Sequence, residues 1–413
     1  MLTTALAGAA LCALVPSGAL AAKPGPMNDY CGPYSGIRWM TGMEHGRTGT
    51  GGGGIWYSGS DAGGAALADS SVVRSGDYSL RLSPSGAASY RGNVVEMCPI
   101  MTVRFAIRLD SAPAADVTEL FSVYTSENTS QNGPRGALQL GYDAASGALK
   151  ARARPGDWQV ASTQVVPGAW HVIDLRYDVS TTTNRVDWRV DGVDQAVATG
   201  PEAASTVNQF FFGTTFAETF TANYDDMMLA IAPAGDPAWY PYGDGQIYAL
   251  EPDAMGSSSG PGSFREGNAF GRWSLNSGSW YALADHPIVP DGSFVEQTAT
   301  AKTRYAEVTF GNTLEATVRA VGAVVTFDPQ NTRSTNHGRT AIVVGGTEQT
   351  IHDANMAHPD AFLWTKAAVV KKPAGGWTAD LVNALRGRVG YSADASPMPR
   401  WNSLLVEYEV KRP

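Results

Sequence analysis

VVPGAWHVIDLRYDVSTTTNRVDWRVDG, residues 165–192, reads as two alternating strands joined by a polar turn. In the first strand Val172, Asp174, Arg176 and Asp178 fall on one side, and His171, Ile173, Leu175 and Tyr177 on the other. In the second, Val186, Trp188 and Val190 continue the apolar side, and Asp191-Gly192 supplies a turn signal. A period of two places one face of a sheet in a core and leaves the other wet. By the same pattern Trp170 and Trp188 are expected in the core. Similar alternation recurs along the chain. Val103, Phe105, Ile107 and Leu109 share a face, residues 137–142 and 149–153 read as a hairpin around Ala144–Gly147, and Phe210–Phe212 and Tyr224–Leu229 read as further strands. About ten to twelve such strands make a two-sheet sandwich.

The 413 residues include 46 Gly and 24 Pro, with 17% charged. Length predicts two or three domains. Low charge, frequent turn residues and no long segment of period 3.6 predict an all-β chain. The net charge is −9 and the basic residues are scattered, which argues against a groove that tracks nucleic-acid phosphates. The opening MLTTALAGAALCALVPSGALAA is apolar and reads as a signal peptide cut after Ala21 or Ala22, although no Lys or Arg precedes the apolar run. The other reading is an apolar arm that packs on a neighbouring subunit. It is too short to span a bilayer comfortably, so no membrane span is expected after processing. Once Cys12 has left with the signal, Cys31 and Cys98 remain, either as a disulfide formed in an oxidising compartment or as two buried thiols.

The expected architecture is two antiparallel β-sandwich or jelly-roll domains with one short helix. Residues 23–36 form a leader, 37–235 the first domain, 236–246 a linker rich in Pro, Gly and aromatics, and 247–413 the second. The helix is expected at Trp377–Arg386, with Thr378 as N-cap, Asp380 in the first turn and Arg386 and Arg388 near its end.

The strand with Trp170-His171, the Asp191-Gly192 hairpin and the late Asp225-Asp226 strand resemble concanavalin A-like, laminin-G-like jelly rolls. GMEHG at 42–46, YDDMML at 224–229, GDGQIYALEPDAMG at 243–256, WYALADHPIVPDG at 280–292 and GWTADLVNALRGRVGYS at 376–392 resemble, in that order, a two-domain arrangement of tailed-phage structural proteins. The resemblance covers residues 37–413. It implies a non-enzymatic virion or surface protein, tail- or particle-associated, whose first jelly roll binds a glycan or cell-surface polysaccharide, and whose partners are particle subunits or further copies of the chain. The signal-like N-terminus departs from that pattern and keeps open a secreted bacterial carbohydrate-binding or adhesion protein. Either location is outside the cell or on a particle. The resemblance also implies a structural Ca²⁺ held by Glu44 and by Asp225 or Asp226. Strand-capping carboxylates that accept backbone N–H groups are the alternative role for the two aspartates.

Catalytic groups are hard to assemble from this chain. A retaining glycosidase needs two carboxylates about 5–5.5 Å apart. The E-x-D-x-x-E string that supplies them in the glucanase branch of this fold does not occur. Glu251-Pro252-Asp253 carries half of it, interrupted by proline. Glu407 and Glu409 share a strand face, which reads as solvated. His352 and His358 have no zinc-ligand spacing, there is no G-x-S-x-G elbow, and the glycine-rich run 49–54 lacks the Lys-Ser/Thr of a phosphate loop. A polysaccharide-active enzyme is therefore the least favoured reading. Sugar binding in this fold uses aromatic stacking. Among 11 Trp and 16 Tyr, the candidates are Trp56, Tyr57, Trp158, Trp239, Tyr240 and Tyr242. The last three could equally hold the two domains together.

Overall fold

A computed structural model describes residues 36–46, 58–60, 66–84, 88–125, 137–180, 183–201, 207–214, 216, 218–236, 243–255, 264–268, 271–274, 294–297, 305–311, 317–327, 337–355, 364–391 and 400–411. These residues are almost entirely antiparallel β-structure in four sheets. Among them, no helix is long and apolar enough to cross a membrane.

Two of the sheets lie in the first half of the chain. A nine-stranded sheet runs Val193–Asp194, Thr183–Val190, His171–Asp178, Ile100–Leu109, Ala222–Ala232, Ser79–Leu82, Ala66–Asp69, with Gly36–Thr41 also paired to Ala222–Ala232 and Ala198–Pro201 to Thr183–Val190. A seven-stranded sheet runs Gln159–Gln164, Ala148–Ala153, Leu138–Asp143, Val117–Thr125, Val207–Thr214, Ala88–Cys98, Ser58–Ser60. Inward positions of both sheets meet in one core. Val103, Phe105, Ile107 and Leu109 come from one side, and Phe121, Leu140, Ala151, Phe210 and Phe212 from the other. Phe105 and Phe212 meet edge to face at 5.2 Å, a geometry that aligns ring edge with ring face. Trp188 is 1% exposed and lies in this core as expected, whereas Trp170 is only half-buried.

The expected 165–192 hairpin is present in register, with Leu175 opposite Trp188 and Ile173 opposite Val190. Asp191 and Gly192 have φ of 53° and 78° and close the next tight turn, which pairs Val190 with Val193. Successive positive φ values match the twist of flanking strands, which is why Asp-Gly serves here.

The face expected to be wet is not. Asp174 and Arg176 are buried, because the chain returns over them. Gly243 N donates to Asp174 Oδ1 (3.2 Å) and Arg176 Nη2 donates to the carbonyl of Asp236 (3.0 Å).

The second half of the chain forms a further seven-stranded sheet: Gly271–Ser274, Phe264–Asn268, Phe294–Gln297, Arg400–Lys411, Val318–Phe327, Trp364–Val369, with Gly245–Leu250 on Arg400–Lys411. A five-stranded sheet runs Pro252–Met255, Tyr305–Phe310, Arg386–Tyr391, His337–Val344, Thr347–Asn355. Their shared core holds Val308, Phe310, Val325, Ile342, Trp377, Leu404 and Tyr408. The helix is Ala379–Asn383, shorter than expected. Thr378 caps it by accepting from Leu381 N, but Arg386 and Arg388 belong to the following strand and pair with Glu307.

Candidate functional site

Two places in the described structure concentrate polar side chains where a sheet face is ordinarily either apolar or solvated. One is the junction of the two sandwiches. The other is the outward face of the seven-stranded sheet of the first sandwich.

At the junction, a small apolar patch of Met40, Met228, Ile247 and Ala320 is surrounded by buried charge. Asp225 and Asp226 sit where the Ala222–Ala232 strand bulges against Ile100–Leu109, and Asp226 has φ 51°. A bulge turns a side chain out of the regular alternation, and aspartate tolerates the left-handed region better than most residues. The turn aims Asp226 at the second sandwich, where Oδ1 accepts Ile247 N (2.6 Å) and the Ser75 hydroxyl, and Oδ2 accepts the Arg74 guanidinium. Asp225 accepts three backbone N–H groups, from Arg74 (2.8 Å), Ser75 (3.3 Å) and Asp226 (2.7 Å). Glu44 Oε2 accepts Asp77 N (2.8 Å). Gly76 beside it has φ 63°, and a Cβ there would fall 2.1 Å from the Glu44 carboxylate. Only glycine therefore fits this turn.

Glu407 and Glu409 complete the junction. Their strand face is buried and not solvated as expected, with exposures of 0% and 1%. It is the face that meets the first sandwich. Glu409 pairs with both Arg104 and Arg319, and Glu407 Oε1 accepts the Thr41 hydroxyl (2.9 Å) and Gly42 N (3.3 Å). Burial pushes Glu44 up to about 10, against the Asp77 N–H, with Asp225 and Glu407 adding to the rise. Burial likewise pushes Glu407 up to about 7, opposed by Thr41 and Gly42, and Asp174 up to about 6, opposed by Arg104. Burial, then repulsion from Asp226, holds Asp225 well above the usual carboxylate range.

The three residues expected to hold calcium thus do come together. Their donors, however, are protein groups. Both oxygens of Asp226 and both of Asp225 are engaged, and Arg74 brings the positive charge. Among the described residues no group of three or more His, Cys, Asp or Glu is disposed to hold a metal. This donor set fits an arginine better than a dication.

The outward face of the seven-stranded sheet is read from its register. Phe211, Ser122, Gln139 and Arg152 stand opposite one another across four strands, and their sequence neighbours Phe210, Phe212, Phe121, Leu138 and Ala151 point into the core. Ser122, Gln139 and nearby Glu119 are fully buried. At its edge this row reaches Trp158, which is half-buried. The Arg152 guanidinium carbon lies 4.3 Å from the Trp158 ring centroid, and Lys150 Nζ 5.1 Å from it. Arg152 Nε donates to Gln139 Oε1 (2.8 Å), and Gln139 Nε2 donates to Glu119 Oε1 (2.8 Å). Lys150 is paired with Asp116 (2.6 Å). Lys150, Arg152 and Arg154 alternate along one strand and its end, so all three share this side. Burial, with repulsion from Arg154, pushes Arg152 down from the usual guanidinium range.

Of the aromatics picked from sequence, Trp158 is the one placed, and its ring is held against cations instead of standing open. Trp56, Tyr57, Trp239, Tyr240 and Tyr242 lie outside the described residues. Cys98 is fully buried and disulfide-bonded; Cys31 lies outside the described residues. His171 is not a free base: Val166 N donates to its Nε2 (2.9 Å), so the ring proton is on Nδ1, facing Asp191 Oδ2 (2.7 Å). Sequence reasoning missed Arg74, Arg104, Gln139 and Arg152. The K-A-R-A-R alternation at 150–154 was a readable signal for the last. The junction arginines had none, because their partners lie 122 to 305 positions away.

No family model matches the chain, and no curated protein matches it. Solved structures similar to it include a sialidase (11% identity, TM-score 0.30, 41% of this chain and 16% of that one) and a Trypanosoma rangeli sialidase (13%, 0.28, 42% and 29%). Another is domain 4 of a GH43 extracellular arabinanase from Geobacillus stearothermophilus, in complex with arabinotriose (14%, 0.28, 51% and 90%). The chain spans less than a third of the length of these sialidases. At such TM-scores the functional reading rests on the side chains alone.

Proposed function

We propose that this is a non-enzymatic β-sandwich protein that binds a glycan at the Arg152–Trp158 edge of its first sandwich. The observation that carries the reading is a half-buried tryptophan stacked on an arginine whose orientation is set by a buried Gln139–Glu119 pair. Aromatic rings next to fixed polar groups are what sugar sites use, and a supported side chain keeps its geometry without a ligand. The acid pair Glu407 and Glu409 is enclosed between the sandwiches and committed to Thr41, Gly42, Arg104 and Arg319, which does not favour its use as hydrolase carboxylates. Titration calorimetry of the full chain against a panel of neutral and acidic polysaccharides tests the proposal. Binding by the wild type and its loss in Trp158→Ala support it. Unchanged binding by Trp158→Ala, or release of reducing sugars from any panel member, would overturn it.

Two settings fit a surface glycan binder, each favoured by a different observation. The order of motifs over 37–413 favours a tailed-phage particle. The signal-like residues 1–22 and the bonded Cys98 favour a secreted protein, with Cys31 as the proposed partner thiol. Intact mass from the native source separates them, since loss of the first 21 or 22 residues belongs only to the secreted form.

A further inference from the structure

Arg152 combines three properties. Its Nε is fixed by Gln139 Oε1 (2.8 Å) and its plane by the Trp158 ring (4.3 Å). It is half-buried, at the edge strand pair where Val160 is 43% exposed. Among the described residues its two terminal nitrogens carry no hydrogen bond or ion pair; Nε alone is committed. A guanidinium held by Nε and by stacking offers its Nη edge, two parallel N–H groups with the spacing of a carboxylate. The Glu119 carboxylate lies one amide away and is held by Gln139 Nε2 (2.8 Å), so it orients Arg152 without pairing its Nη edge. The adjacent cation Lys150 already has Asp116 (2.6 Å), and Arg154 lies on the same side, one alternation along the chain.

We propose that Arg152 receives the carboxylate of an acidic, uronate-type polysaccharide in a bidentate pair, with the neighbouring Trp158 ring edge beside the sugar. The inference rests on the glycan reading above and adds the class of glycan. Neutral sugars would use the aromatic but leave the arginine edge unpaired, and a half-buried unpaired guanidinium disfavours that complex.

The test is calorimetry of the full chain in roughly 150 mM salt, where surface attraction is screened, with polygalacturonate, the same polymer fully methyl-esterified, and sulfated dextran. Binding of polygalacturonate alone is expected. Arg152→Gln is expected to weaken it roughly 10- to 100-fold, the size of a charge-assisted pair, and Arg152→Lys is not expected to restore it, because lysine has no fork. Thermal unfolding of each variant confirms that it is folded, and Arg154→Gln, which leaves the Gln139–Arg152–Trp158 arrangement in place, is expected to lose far less than Arg152→Gln. Equal binding of the methyl-esterified polymer overturns the carboxylate assignment while leaving the glycan site standing. Equal binding of sulfated dextran with full rescue by Arg152→Lys overturns it in favour of unspecific polyanion attraction. No binding of any polymer, acidic or neutral, overturns both readings.

Discussion

Raising the pH should loosen the junction between the sandwiches, and Glu407 isolates the effect. Its carboxyl is 0% exposed and its pKa is pushed from 4.5 to about 7 by burial. Oε1 has Thr41 and Gly42 as donors, while Oε2 has no hydrogen-bond partner among the described residues. The folded protein thus holds this proton more tightly than the unfolded chain does. The group's contribution is fully present below pH 4.5 and is lost as pH rises through about 7. A shift from 4.5 to about 7, at 1.36 kcal/mol per unit, amounts to roughly 3 kcal/mol lost by pH 8. Glu407→Gln keeps an acceptor for Thr41 and removes the titration. Its new amide N–H₂ replaces the unpartnered oxygen at a cost of about 1–3 kcal/mol, so the difference in slope is a cleaner signal than the difference at one pH. Urea unfolding at pH 5, 6, 7 and 8, followed by tryptophan fluorescence, measures it. Because about 0.8 kcal/mol is already gone at pH 5, the wild type should lose about 2.5 kcal/mol more than Glu407→Gln across that range. Asp174 is common to both proteins and cancels from the comparison, and Glu44, pushed to about 10 chiefly by burial, stays protonated across this range in both. Parallel pH profiles for the two proteins would refute the reasoning.

Other outcomes follow from the same junction. Arg104→Ala leaves Glu409 buried at 1% exposure with Arg319 as its remaining partner, and should cost about 3–5 kcal/mol in urea unfolding. Gly76→Ala must place a methyl 2.1 Å from Glu44 at φ 63°, so a loss of at least about 2 kcal/mol is expected. If Arg74 supplies the charge at Asp226, then about 5 mM Ca²⁺ and about 5 mM EGTA should give melting temperatures within about 2 °C of each other, whereas a calcium-dependent rise of about 8 °C or more would restore the ion that the family resemblance implies.

The legible part of this fold was the part that depends on alternation. Residues 165–192 contain their own instructions: apolar Ile173, Leu175 and Tyr177 on one side, Trp188 and Val190 answering them, and Asp-Gly able to take two positive φ values. Alternation tells which side chains share a face, but not what covers that face. Asp174 and Arg176, or Glu407 and Glu409, look solvated in sequence because charge on alternate positions is the ordinary mark of a wet sheet face. Here the two wet faces cover one another, and arginines from distant strands supply the neutralising charge. The binding edge was half legible. Trp158 could be picked as an aromatic in a polar turn, but its meeting with Arg152 needs the strand and the turn after it to fold back on themselves. The support from Gln139 and Glu119 needs strand register, which no local pattern encodes.

If a glycan docks at the Arg152–Trp158 edge, it shields the exposed edge of the tryptophan ring. Tryptophan-selective covalent labelling read by mass spectrometry, with and without saturating polysaccharide, tests this most directly. Half-buried Trp158 should label in the free protein and be protected in the complex, while Trp188, 1% exposed, should stay unlabelled in both. Demonstrated binding with unchanged labelling of Trp158 would contradict the account and place the site elsewhere on the molecule.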